Sequence, residues 1–192
     1  MDKIEEDHRL VLNSLREVGV QVTDVYQLVH GATPREAVAM LVQVLPLLGN
    51  NTIKEAVIRA LGDKAARGAA ARPLITELKR LGGTKPLLSW VIANSLAQVV
   101  EPGDFEELQS LVGVASLGKA REMLVVAIAR TKHPDAAAEL AKLAADEALA
   151  GYVVIAAGEL GANELRPFVE EQMNSRTPWV RKEAKKALRR LA

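Results

Sequence analysis

One apolar pattern recurs along the chain at a nearly fixed interval, and that recurrence limits the fold more than any single motif does. In Ile53-Lys54-x-x-Val57-x-x-Ala60-Leu61 the apolar positions fall at helical spacing. The same offsets return as Leu88, Ile92, Ser95, Leu96; as Ala120, Leu124, Ala127, Ile128; as Tyr152, Ala156, Leu160; and as Val180, Ala184, Ala187, Leu188. The last residues of successive copies are 35, 32, 32 and 28 positions apart. A second helical segment precedes each copy: Pro34 to Leu48, Pro73 to Leu81, Phe105 to Val112, Pro134 to Ala144, and Glu164 to Met173. The unit is a helical hairpin of about 30 residues, too small to bury its own stripe and obliged to stack on its neighbours.

Composition agrees with an all-α fold. Ala and Leu, the strongest apolar helix formers, number 30 and 26 in 192 residues, while aromatic residues are 3%, so the core must be aliphatic. Thr33 with Glu36, Thr52 with Glu55, and Asp104 with Glu107 have capping-box spacing at helix starts. Gly62, Gly82 with Gly83, Gly113 and Gly161 stand where C-terminal caps are needed. The array reads as residues 32–192, in units near 33–62, 63–100, 104–131, 134–161 and 163–192. Residues 1–31 lie outside the period and read as an acidic N-terminal helical cap, helical from Ile4 to Arg16 and again from Asp24 to Val29.

Trp179-Val180-Arg181-Lys182-Glu183-Ala184-Lys185-Lys186-Ala187-Leu188 and the endings Ala60-Leu61-Gly62 and Glu159-Leu160-Gly161 resemble the HEAT-like repeat family, in its short bacterial, bilin-lyase-type form. The resemblance covers about residues 33–192. It implies an α-solenoid, a right-handed superhelix of about five hairpins whose second helices line the concave side. Members of that family serve as scaffolds, lyase subunits or DNA-binding proteins, so the resemblance carries the fold further than the function.

Several chemistries lack their residues. With no cysteine there is no disulfide, thiolate metal site or Cys nucleophile, which suits a reducing, cytoplasmic setting. Met1 to Arg9 is charged, unlike a secretory leader, and the uncharged runs Ala37 to Ile53 and Pro86 to Val100 are shorter than the roughly 20 residues of a membrane span. His8, His30 and His133 form no pair at metal-ligand spacing, and no Ser has a neighbouring base. Gly113 to Lys119 matches GxxxxGK, but Ala120 supplies no hydroxyl for Mg²⁺ and a helical segment precedes it, so it reads as an inter-helix turn rather than a nucleotide site. No cofactor, metal, nucleotide or membrane is expected, and no enzymatic activity.

Binding surfaces are a different matter. Opposite the core stripe, two rows run down the second helices: Glu55, Trp90, Glu122, Val154, Lys182 and Arg59, Asn94, Val126, Gly158, Lys186. On these rows Glu55, Arg59, Trp90, Asn94, Glu122, Val126 and Val154 are the expected partner-binding residues, with an apolar groove around Trp90, Val126 and Val154 taking a helix or peptide of another protein. Charge is uneven: residues 1–31 carry net −3 and residues 176–192 net +6. Arg181, Lys182, Lys185, Lys186, Arg189 and Arg190 make a basic C-terminal face, the basis of a second reading as a nucleic-acid-binding protein. Lys54, Arg121 and Arg181 share one repeat position, which reads as a structural ladder between helices.

Overall fold

The computed structural model describes residues 2–191. Among them there are twelve α-helices, six three-residue 3-10 turns and no strand. The chain is all-α. In order the helices are α1 (Lys3–Glu17), α2 (Tyr26–His30), α3 (Arg35–Val44), α4 (Asn51–Leu61), α5 (Ala71–Leu81), α6 (Pro86–Val99), α7 (Phe105–Val112), α8 (Ala120–Thr131), α9 (Ala136–Leu143), α10 (Ala150–Leu160), α11 (Arg166–Glu171) and α12 (Pro178–Leu188). Helices α3 to α12 fall in the ten segments read as helical from the sequence. Pro46 shortens the first of these helices: the chain leaves α3 through a 3-10 turn at Leu45–Leu47.

Residues 1–99 and 100–192 form two compact units. In the first, α1 packs on α3 and α4, α2 packs on α4, and α6 lies against both α4 and α5. In the second, α8 is covered by α7, α9 and α10, while α10 lies between α8 and α12 and also touches α9 and α11. Repeating apolar offsets form the cores: Ile53, Val57 and Leu61, then Leu88, Ile92 and Leu96, then Leu124, Ala127 and Ile128 are all buried. Among the described residues no helix is long and apolar enough to cross a membrane.

Local caps differ from the expected boxes. Asn50, not Thr52, caps α4, its Oδ1 accepting from the backbone N–H groups of Thr52 and Ile53. Asp104 pairs with Glu101 around a 3-10 turn ahead of α7. Thr33 is buried and donates its hydroxyl to the Ala60 carbonyl at 3.0 Å, stitching α3's approach to the end of α4. α3 itself starts after Pro34 without a side-chain cap.

α10 and α12 approach closely at two glycines. A Cβ on Gly158 would lie 2.7 Å from the Ala187 Cα, and one on Gly151 would overlap the Trp179 ring and lie 2.9 Å from Val180 Cγ2. Seven residues apart, the two glycines sit on one face of α10 and let the backbones approach.

Candidate interaction surfaces

In the first unit α4 buries Ile53, Lys54, Ala56, Val57, Ile58, Ala60 and Leu61, which leaves Glu55 and Arg59 half-buried along one edge. They pair across one turn, Arg59 Nη2 to Glu55 Oε1 at 2.8 Å. The open edge of α6 carries Leu87, Trp90, Asn94 and Gln98 at helical spacing. Leu87 is 66% exposed, a high value for a leucine. Two clefts bracket the α4–α6 seam. One, of about 220 Å³, is lined by Asn51, Glu55, Lys85, Pro86 and Leu87; the other, of about 200 Å³, by Val29, Arg59, Asn94, Ser95 and Gln98. Tyr26 of α2 flanks the seam, its hydroxyl 3.5 Å from the Thr52 carbonyl, and burial with the nearby Glu55 carboxylate pushes its phenol up. The expected residues Glu55, Arg59, Trp90 and Asn94 therefore share one partly open surface.

The second unit departs from the expected rows. Val126 is 4% and Val154 0% exposed, so neither lines an open groove. Val154 lies between Gly151 and Gly158, on the α10 face turned to α12, and the partly open positions along the middle of α10 are Tyr152, Ile155 and Glu159. The rows are turned because Met123 to Ala129 of α8 and Tyr152 to Ala157 of α10 are apolar all round, and such segments are packed on opposite faces at once. Burial first and the half-buried Glu122 carboxylate second push the Tyr152 phenol up to about 12. Tyr152 in turn meets Trp179, ring centroids 5.5 Å apart and planes tilted by 58°. At the other end of α8, Arg130 bridges to Glu159 at 2.7 Å.

The basic C-terminal face is largely open. Lys182, Lys185, Lys186, Arg189 and Arg190 are exposed, with Lys186 held to Glu183 at 2.7 Å. Arg181 is withdrawn from that face and donates to the Ser175 carbonyl at 2.7 Å. Its repeat equivalents are also tied between helices. Buried Lys54 meets buried Glu77 at 2.7 Å, and Arg121 donates to the Val112 carbonyl and to Asp146. The shared position is a ladder of inter-helix ties.

His8 lies 3.8 Å from Asp24, His30 ends α2, and His133 stacks on Phe105 at 4.2 Å, so the three do not converge. No group of three His, Asp or Glu able to hold a metal occurs among the described residues. Gly113 to Lys119 links α7 to α8 through a 3-10 turn, with helix on both sides.

Three contributors were not on the expected rows: Leu87, Tyr26 and Trp179. Leu87 directly precedes the repeating core position Leu88, and nothing in the apolar pattern marks it as exposed. The signal for Trp179 was the Gly151–Gly158 pair inside an otherwise apolar helix, which marks a face where a neighbour comes close.

No family model matches the chain, and no curated protein is similar to it. Among solved structures, the crystal structure of an engineered protein from the Northeast Structural Genomics Consortium superposes with a TM-score of 0.51. It is 18% identical, with 99% of this chain and 96% of that chain covered. At that identity the likeness extends to the helical fold alone.

Proposed function

We propose that the chain is a non-enzymatic protein-interaction scaffold of the HEAT-like repeat kind, its hairpins stacked as an α-solenoid. Its working surface is the open edge of α4 and α6, which takes a helix or peptide of another protein. One observation carries this reading: Leu87, Trp90 and Asn94 run along α6 beside the Glu55–Arg59 pair of α4, with a cleft at either end of the seam. A tryptophan beside an exposed leucine, rimmed by a charge pair, has the make-up of an interface hot spot. Val126 and Val154, being buried, have no part in it.

The test compares affinity capture from native lysate by the parent chain, Trp90→Ala and Leu87→Asp. Loss of a specific co-purifying protein in both variants, with thermal unfolding little changed, supports the surface. A collapse of the melting temperature in Trp90→Ala assigns that residue to the core instead.

A further inference from the structure

We propose that the outer face of α12 binds single-stranded nucleic acid, with Trp179 as the stacking platform for a base and the lysines and arginines behind it as the track for phosphates. This surface lies in the second unit and does not depend on the α4–α6 reading.

Val180, Ala184, Ala187 and Leu191 bury the inner side of this segment. At 100° per residue, Lys185, Arg189, Lys182, Lys186 and Arg190 spread over an outward arc of about 140°. All five are exposed, and within α12 Glu183 is the one carboxylate on that side. Lys182, Lys185, Arg189 and Arg190 make no ion pair among the described residues. Lys182 and Lys186 are one turn apart, about 6 Å along α12, and Arg190 follows in the turn after Leu188, so a flexible polyanion lying along this segment meets successive cations.

Trp179 shares this arc, between Lys186 and Arg190 in angle. It is 43% exposed, yet it is not loose. The edge of its ring fits the notch left by Gly151, where a Cβ would come within 2.8 Å of Cζ2, and the half-buried Tyr152 packs beside it. An indole fixed in this way loses little freedom when a base stacks on it, and stacking serves any base.

Glu147 and Glu171 line a cleft of about 510 Å³ near the first turn of α12, together with Arg176 and Thr177. Their charge keeps a polyanion out of the cleft and directs it along the helix. The cations alone would suit an acidic peptide equally well. The fixed indole favours nucleic acid, because the rest of the arc offers a peptide no apolar pocket.

The experiment is fluorescence anisotropy of a labelled 12-nucleotide oligo(dT) with the full chain at several salt concentrations. Three to four phosphate contacts predict that log K falls against log[salt] with a slope of about −2 to −3. Lys182→Gln/Lys185→Gln/Arg189→Gln should weaken binding at least tenfold and flatten the slope. Trp179→Leu keeps an apolar group against Gly151 and should weaken binding roughly tenfold at unchanged slope. Circular dichroism melts confirm that each variant is folded. The proposal is overturned by no binding at 50 mM salt, by a folded Trp179→Leu that binds as the parent does, or by polyglutamate binding as tightly as oligo(dT). It is overturned equally if the charge variant abolishes self-association seen by sedimentation while oligo(dT) binding persists, which would make the face a contact between copies.

Discussion

Asp7 holds more of the first unit together than its place in the acidic N-terminal segment suggests. It is 1% exposed and accepts from the backbone N–H groups of Gly49 at 2.7 Å and Asn50 at 2.6 Å, with Lys3 Nζ at 3.0 Å, so α1 closes the start of α4. Burial alone would push its carboxyl up; the Asn50, Lys3 and Gly49 donors outweigh that and hold it below the ordinary aspartate value. A carboxylate whose pKa is lower folded than unfolded stabilises above the unfolded value, near pH 4, and that stabilisation is lost as pH falls through the folded value. Asp7→Asn should therefore cost about 1–3 kcal/mol at pH 7 and reduce the loss of stability between pH 4 and pH 2, both read from urea midpoints. Glu77 acts with the same sign. Burial raises its carboxyl, and Arg80 and Lys54 more than reverse this. Glu77→Leu strands the Lys54 ammonium, 3% exposed, and should cost about 3–5 kcal/mol, whereas adding Lys54→Met should recover most of it, as the double-mutant cycle of the two substitutions reads.

At the level of helices, α4 and α10 show what a sequence of this kind can and cannot reveal. In α4 the apolar stripe is flanked by Glu55 and Arg59, so periodicity alone orients the helix, and the four expected residues of the first unit reach one edge. In α10 only Glu159 is charged, so nothing in the pattern separates Val154 from Ile155, and the rotation is decided by α8 on one side and α12 on the other. The glycines record that decision. In an exposed helix Gly→Ala gains about 1 kcal/mol. At Gly158 the new Cβ would lie 2.7 Å from the Ala187 Cα, backbone that cannot swing aside, so overpacking of about 1–3 kcal/mol should win and Gly158→Ala should melt lower than the parent. A higher melting temperature would mean that α10 and α12 separate without penalty, and with them the seat of Trp179.

Across the molecule, aliphatic side chains do the work usually shared with aromatics: of the residues buried in the cores, Phe105 is the one aromatic among the described residues. Between the few buried polar ties, such as Asp7 and Lys54–Glu77, the interior is Leu, Ile, Val and Ala, whose contribution depends on volume being filled. Within the second unit α10 touches both α8 and α12. Leu124 is fully buried in α8, and Leu124→Ala should cost about 2–5 kcal/mol by lost transfer energy and residual cavity. Hydrogen exchange distinguishes two ways of absorbing that loss. If the stack opens as a cooperative unit, amides of Ala150–Leu160 and Pro178–Leu188 lose protection together with those of Ala120–Thr131. If protection falls in Ala120–Thr131 alone, each hairpin is stable by itself, contrary to the argument that a thirty-residue hairpin cannot bury its own stripe.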